Sequence, residues 1–109
     1  MLDFFQHLFA KAEYDLDGTT FKQKFNESGK NAVLLDVRTR DEFKMGTIPG
    51  SQNIDFYAAD FNTKIEALDK SKTYYVFCRS GNRSGKTCKM MTNAGFTAYN
   101  LEGGIGAWR

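Results

Sequence analysis

The sequence predicts an α/β fold built on a central parallel sheet of four to five strands, with helices on both faces. Three observations lead to this prediction. Uncharged runs at 32–35, 74–77 and 97–101 have the composition of strands buried in a parallel sheet. Apolar residues at helical spacing lie between these runs, so strands and helices alternate. The chain has 109 residues, of which 41% are hydrophobic, which is enough for one buried core, and we expect a single domain over residues 1–109.

Residues 1–12 are predicted to be an N-terminal extension that forms an amphipathic helix. Its apolar stripe consists of Leu2, Phe5, Leu8 and Phe9. The stretch is too short and too interrupted to span a membrane, and it lacks the basic start and continuous apolar centre of a signal peptide. Because residues 1–9 contain no lysine or arginine, packing on the domain or on a second copy is favoured over binding to a membrane surface.

The first strand and helix are predicted from a short run and a pair of aromatic residues. Residues 14–16 can form a short strand. Phe21 and Phe25 stand four residues apart and therefore share one face of a helix, which Thr19 or Thr20 could cap. A polar stretch that contains a glycine is expected to end this helix.

The second strand leads into a short capped helix. The apolar run 32–35 closes on Asp36, and Thr39 with Glu42 three residues later has the pattern of a capping box. Asp36, Arg38 and Glu42 could be taken for catalytic acids and bases. We interpret them instead as an ion-pair and hydrogen-bond brace between the strand and the helix.

The middle and the end of the chain supply the remaining elements. Residues 53–55 can add a short strand, and 56–68 has apolar residues at helical spacing that indicate one broken helix or two short ones. Residues 97–101 are predicted to return as the last strand. A final turn or helix is expected over 103–108.

The sequence changes character at Cys78. The preceding run 74–77 is uncharged and prone to form a strand, whereas the residues that follow are small, polar and cationic. Residues 84–94 then show helical spacing. Cys78 is therefore expected in a short turn between the carboxyl end of a strand and the amino end of a helix. Such a turn gathers backbone N–H groups and the positive end of the helix dipole around one centre.

This setting favours the thiolate form of Cys78. Arg79 and Arg83 add two positive charges, so the pKa of the Cys78 thiol should fall below the ~8.5 of a free cysteine. A packing role is the alternative, but a packing cysteine has no use for two arginines and two glycines in the next seven residues. Cys88, inside the helix, is interpreted as a packing residue. The single histidine, His7, lies far upstream, so a cysteine–histidine pair is not expected.

Residues 78–84 read Cys-Arg-Ser-Gly-Asn-Arg-Ser and resemble the active-site loop of the rhodanese family of sulfurtransferases, in its small single-domain form. Two further segments, within 34–54 and 95–108, are similar to the first and the C-terminal signatures of that family. Together the similar segments span most of the chain. Thr47 stands where the family usually has histidine, and we interpret this position as structural.

The resemblance implies a double displacement with Cys78 as the nucleophile. The thiolate would take the outer sulfur of a donor such as thiosulfate, and the resulting persulfide would pass that sulfur to cyanide or a thiol. The resemblance and the loop's charge imply these substrate-binding residues: Arg79, Ser80, Gly81, Asn82, Arg83 and Ser84. No metal and no organic cofactor is needed. The implied partners are a small anionic sulfur donor and a thiol or protein acceptor.

Charge and cysteine content exclude several other classes. The net charge of +2 is too small to indicate nucleic-acid binding. The two cysteines match neither a zinc site nor a disulfide framework, which favours a reducing, cytoplasmic setting. Neither nucleic acid nor a membrane is expected as a partner. Two alternative functions remain. One is a cysteine-dependent phosphatase, although four residues separate Cys78 from Arg83 where such enzymes have five. The other is a sulfur-carrier or redox-partner module without turnover of its own.

Overall fold

The structure, a computed structural model, describes residues 12–109, and the predicted N-terminal helix lies outside this range apart from its last residue. Five strands form one sheet: β1 (Asp15–Leu16), β2 (Ala32–Asp36), β3 (Gln52–Asn53), β4 (Thr73–Phe77) and β5 (Thr97–Leu101). Four α-helices accompany them: α1 (Gly18–Ser28), α2 (Arg40–Met45), α3 (Phe61–Glu66) and α4 (Asn82–Asn93). Two short 3-10 turns, Gly29–Asn31 and Ile105–Ala107, complete the described part of the chain.

The sheet is parallel throughout, in the order β1-β5-β4-β2-β3. β4 is central, and its register with β2 pairs Asp36 with Phe77. Parallel strands end at the same edge of a sheet, so Cys78 emerges beside the end of β2, where ligands bind in such folds. The predicted α/β architecture is therefore confirmed.

Alternate residues of the strands build a core on each face of the sheet. On one face Val76 packs with Cys88 and Met91 of α4 and with the α3 side chains. On the other face Tyr75 and Phe21 belong to a second cluster, beneath α1. Because the side chains of a strand alternate between faces, a continuous apolar run such as β4 serves both clusters. Helices thus cover both faces, as predicted.

Several predicted boundaries are wrong for identifiable reasons. α1 begins at Gly18 because the side chain of Asp17, rather than Thr19 or Thr20, caps it by accepting a hydrogen bond from the Thr20 N–H at 2.8 Å. α4 begins at Asn82 and not at residue 84, which places Ser84 inside the first turn. The capping box of α2 is present as predicted, with Thr39 and Glu42 exchanging both hydrogen bonds.

Two further predicted elements have different bounds in the structure. The short third strand lies at 52–53 rather than 53–55, and the carboxylate of Asp55 accepts a hydrogen bond from the Tyr57 N–H in a local turn that follows it. Within 56–68 only Phe61–Glu66 is helical, and Phe61 and Ile65 are its buried residues. None of the helices in residues 12–109 is long and apolar enough to cross a membrane.

Candidate active site

Cys78 follows directly after β4 and is fully buried, with 0% of its surface exposed. Its side chain continues the alternation of the strand and lies in the same apolar cluster as Val76. The backbone carbonyl of Cys78 accepts a hydrogen bond from the Ile105 N–H at 2.8 Å, which ties the start of the loop to the C-terminal 3-10 turn. The nucleophile predicted from the sequence therefore sits at a tightly held strand end.

Three hydrogen-bond donors converge on the Cys78 sulfur. The Gly81 N–H lies 3.1 Å from Sγ, the Ser84 N–H 3.4 Å, and the Ser84 hydroxyl 3.3 Å. Gly81 can turn its N–H inward because it adopts φ 99°, a left-handed conformation that favours glycine. The first turn of α4 supplies the two Ser84 donors. This geometry stabilises a negative charge on Sγ.

The environment lowers the pKa of the Cys78 thiol below its ordinary value. Burial alone would raise it, but hydrogen bonds from the Ser84 hydroxyl and from the N–H groups of Ser84, Gly81 and Ser80 outweigh burial. The direction agrees with the expectation from the sequence. The backbone N–H groups act as expected, together with the Ser84 hydroxyl, whereas the charges of Arg79 and Arg83, which were also expected to contribute, are not among the causes.

Arg83 is engaged by a carboxylate from another helix. Its Nη1 and Nη2 lie 2.8 and 3.2 Å from Oε1 and Oε2 of Glu42, a bidentate pair between α4 and α2. The guanidinium also lies over the Tyr57 ring, 5.7 Å from its centroid. The hydrogen bond from Arg83 lowers the pKa of Glu42 to about 2, against an opposing effect of burial. Glu42 thus braces the active-site loop, which differs from the brace between strand and helix expected for it.

The expected ion-pair role of Asp36 and Arg38 agrees with the structure. Arg38 Nη2 lies 2.8 Å from Asp36 Oδ2 and also donates to the Gly46 carbonyl at 2.6 Å. Thr47 completes the cluster, because its hydroxyl donates to Asp36 Oδ2 at 2.9 Å. Asp36 is fully buried, and it therefore needs these partners. Thr47 consequently has a structural role, as interpreted from the sequence.

The remaining loop residues predicted to bind substrate are exposed. Arg79, Ser80 and Asn82 present their side chains to solvent. The only contribution from these three to the sulfur that the structure describes is the Ser80 N–H. Lys86, one turn into α4, is exposed as well. The loop therefore combines an inner ring of neutral donors with an outer, cationic surface.

Cys88 is fully buried on the face of α4 that packs against the sheet. Burial raises the pKa of its thiol well above the ordinary value, and the negative charges of Asp15 and Cys78 raise it further. Its thiol is protonated at neutral pH, in keeping with the packing role expected for it. Ala94, which the helical spacing placed on the same buried stripe, is exposed, because α4 ends at residue 93 and Ala94 only caps it.

Two groups that support the site were missed in the sequence. The Ile105 N–H holds the Cys78 carbonyl, and the Asn100 amide donates to the Gly81 carbonyl at 3.2 Å. Asn100 lies in β5 and Ile105 in the 3-10 turn that follows it, and no local pattern connects them with a loop that comes so much earlier in the chain. Within residues 12–109, no cluster of three or more histidine, cysteine, aspartate or glutamate side chains is arranged to hold a metal ion.

Comparisons with known proteins converge on one family. Residues 19–109 match the model of the Rhodanese-like domain. "Putative sulfurtransferase YtwF" of Bacillus subtilis is 38% identical over 94 residues, which cover 86% of this chain and 88% of that protein. "Sulfurtransferase" of Allochromatium vinosum is 27% identical and is covered to 86%, as is this chain. The crystal structure of a rhodanese-like domain protein from Staphylococcus aureus superposes with a TM-score of 0.73 at 32% identity, covering 87% of this chain and 90% of that one.

Proposed function

Because the chain belongs to the Rhodanese-like domain family, we propose that it is a sulfurtransferase that carries a sulfane sulfur on Cys78 as a persulfide. The observation that carries this proposal is the convergence of three donors, 3.1 to 3.4 Å away, on one buried sulfur with a lowered pKa. A nucleophile and an anion site are the two groups that sulfur transfer requires.

In the first half of the reaction, the Cys78 thiolate attacks the outer sulfur of a donor such as thiosulfate. A new S–S bond forms at Sγ, the S–S bond of the donor breaks, and sulfite leaves with the bonding electron pair. The product is a Cys78 persulfide anion, and no proton needs to be moved. Because the nucleophile is already a thiolate and sulfite leaves as an anion, the site needs hydrogen-bond donors and no acid or base catalyst.

In the second half, an acceptor thiolate or cyanide attacks the terminal sulfur of the persulfide. The S–S bond breaks, its electron pair returns to Sγ, and the Cys78 thiolate is restored. The Gly81 and Ser84 groups that point at Sγ then stabilise the leaving thiolate, which lowers the barrier for this step. The same donors thus serve both half-reactions.

Burial of the sulfur and the charge around the loop both bear on which reagents can react with Cys78. Cys78 has no exposed surface in this conformation, so part of the loop has to move before a donor touches Sγ. The cationic outer surface, with Arg79 and Lys86 exposed, suits an anionic donor. A small thiol or the thiol of another protein is the proposed acceptor, and the thiolate chemistry suits a reducing compartment such as the cytoplasm. The proposed reaction uses no cofactor.

The position of Arg83 argues against the phosphatase alternative. A transferred phosphoryl group needs positive charge around its oxygens. Arg83 is the loop residue that would provide it, yet both of its terminal nitrogens are bonded to Glu42. The loop's inward groups are neutral donors that suit a single sulfur anion. The sulfur-carrier alternative uses the same persulfide, so it differs from the proposal only in whether the acceptor is turned over.

Intact mass spectrometry tests the proposal directly. Incubation with thiosulfate should add the mass of one sulfur atom at Cys78, and cyanide or a thiol should remove it repeatedly. Cys88→Ser is the matched control and should still take up the sulfur, whereas Cys78→Ser should not. An adduct that retains the sulfite portion, or one located on Cys88, would contradict the displacement. Hydrolysis of an aryl phosphate without sulfur uptake would favour the phosphatase instead, and sulfur uptake without catalytic turnover would favour the carrier.

A further inference from the structure

Asn100 connects the outermost strand of the sheet with the active-site loop. It lies in β5 and is 4% exposed. Its amide nitrogen donates two hydrogen bonds, one to the Gly81 carbonyl at 3.2 Å and one to Asp15 Oδ1 at 2.8 Å. Asp15 belongs to β1, which pairs with β5 in a register that places Asp15 opposite Asn100. The amide nitrogen is therefore fixed between a carboxylate and the loop.

The other half of the same amide has no partner. Within residues 12–109, Asn100 Oδ1 is the buried side-chain oxygen or nitrogen that lacks a hydrogen bond. An unsatisfied buried carbonyl is unfavourable for folding. Rotating the amide by 180° would be worse, because its oxygen would then face the Asp15 carboxylate and the Gly81 carbonyl. The two hydrogen bonds of the amide nitrogen therefore fix the orientation of the amide and leave its oxygen without a hydrogen bond.

The carbonyl that Asn100 holds belongs to the residue that points an N–H at the nucleophile. The Gly81 N–H and its carbonyl flank a single Cα, and the carbonyl accepts hydrogen bonds from both Asn100 and the Gly85 N–H. Behind that Cα the backbone is crowded, since a Cβ on Gly81 would lie 3.2 Å from the Gly103 nitrogen and 3.3 Å from the Leu101 oxygen. Because its carbonyl accepts two hydrogen bonds and its Cα lies close to the backbone of residues 101–103, Gly81 has little freedom to turn its N–H away from Sγ.

We propose that Asn100, oriented by Asp15, is a positioning residue that holds Gly81 so that its N–H points at the Cys78 sulfur. It does not touch the sulfur and acts only through the backbone of Gly81, whose carbonyl it holds. This role affects how readily the Cys78 thiol ionises, and it rests on the proposed function only when sulfur transfer is the quantity measured. Strand β1, far from the nucleophile in sequence, is in this way part of the support of the active site.

The consequence of losing Asn100 follows from the donor geometry. Without it, the Gly81 carbonyl keeps only the hydrogen bond from the Gly85 N–H, so the Gly81 N–H is held less firmly toward the sulfur and the Cys78 pKa should rise. At a pH below that pKa, the thiolate fraction then falls, by about tenfold for each unit of the rise. The melting temperature of Asn100→Leu should change little, because a leucine of similar size removes the unsatisfied oxygen together with the amide nitrogen.

The decisive experiment compares Asn100→Leu with wild type in the rate of Cys78 alkylation by iodoacetamide from pH 5 to 10, with the modified residue identified by mass. Asn53→Leu is the matched control. The Asn53 amide donates to the Asp36 and Arg38 carbonyls at 2.9 and 3.0 Å, so this substitution removes a similar amide that does not contact the active-site loop. Asp15→Asn retains an acceptor for Asn100 and should stay close to wild type.

We expect the alkylation profile of Asn100→Leu to move to higher pH, with a melting temperature near that of wild type, and the profile of Asn53→Leu to stay in place. An unchanged profile in a folded Asn100→Leu variant overturns the inference, as does an equal shift in Asn53→Leu. Should Asn100→Leu fail to fold, Asn100→Ser, which shortens the side chain so that it no longer reaches Gly81, is compared by the same criterion. Alkylation needs no sulfur donor. Failure of sulfur transfer by the wild type would therefore refute the proposed function, whereas the comparison of alkylation profiles would still test the role of Asn100.

Discussion

Replacing Glu42 by glutamine tests whether the bidentate pair with Arg83 braces the active-site loop. The substitution keeps the size of the side chain and an oxygen that can accept the Thr39 N–H, a bond of 3.0 Å in the wild type. It removes the negative charge that faces the guanidinium at 2.8 Å. Glu42→Gln should therefore weaken the contact between α2 and α4 while leaving the capping box largely intact.

The pKa of Glu42 gives the size of the effect. A shift from 4.5 to about 2 is a difference of about 2.5, which corresponds to an upper limit of about 3.4 kcal/mol at pH 7. Glu42 and Arg83 are 30% and 17% exposed, so solvent screens part of this, and we expect the free energy of unfolding to fall by about 1–2 kcal/mol. Because the folded pKa is lowered, the stabilisation is complete above about pH 4.5 and is lost as the pH falls toward about 2.

Urea denaturation of the wild type and of Glu42→Gln, at pH 7 and at pH 3.5, measures the difference in their free energy of unfolding. The difference between wild type and Glu42→Gln should shrink by roughly two-fifths at the lower pH, since the unfolded carboxylate is mostly protonated there. Asp60→Asn is the matched control, because its ion pair with Lys64 is 3.4 Å long and more than half exposed, and it should cost less than about 0.5 kcal/mol. A difference that is independent of pH, or no larger than that of Asp60→Asn, would refute the bracing role.

Four further predictions concern the remaining groups of the site. Cys88→Ser should retain sulfur transfer and Cys78→Ser should lose it in an assay with thiosulfate and cyanide, and the reverse result would contradict the assignment of the nucleophile. Arg79→Ala should lower kcat/KM for thiosulfate about three- to tenfold and should affect a neutral sulfur donor less, with added salt weakening wild-type turnover in the same way. Arg83→Ala should lower kcat/KM equally for both donors and also lower the melting temperature, and a selective loss for thiosulfate would show recruitment of the donor instead. Thr47→Val should cost about 1–3 kcal/mol of unfolding free energy, because the buried Asp36 carboxylate loses a hydrogen bond, with kcat/KM for thiosulfate unchanged.

Much of the fold could be predicted because its signals are local. An uncharged run such as 74–77 excludes a solvent-facing position, and the pair Thr39 and Glu42 forms a capping box within four residues. The turn at Cys78 was predictable for the same reason, since an uncharged run, a short polar and cationic stretch and helical spacing follow one another directly. Less regular stretches were predicted less well, because side chains such as Asp17 and Asp55 compete with the regular pattern for backbone N–H groups.

The partners of the polar groups were decided only by the tertiary structure. Glu42 and Arg83 are 41 positions apart, and Asn100 and Gly81 are 19 apart, so neither contact leaves a periodic or local signal. The sequence alone indicated that Cys78 would be activated and suggested that arginine charge would contribute. Parallel strand order brings the ends of β2, β4 and β5 to one edge, and there Arg83 meets a carboxylate while backbone N–H groups face the sulfur. A charge acts on the group it faces, and which group that is depends on how the strands are ordered in space rather than on the composition of the loop.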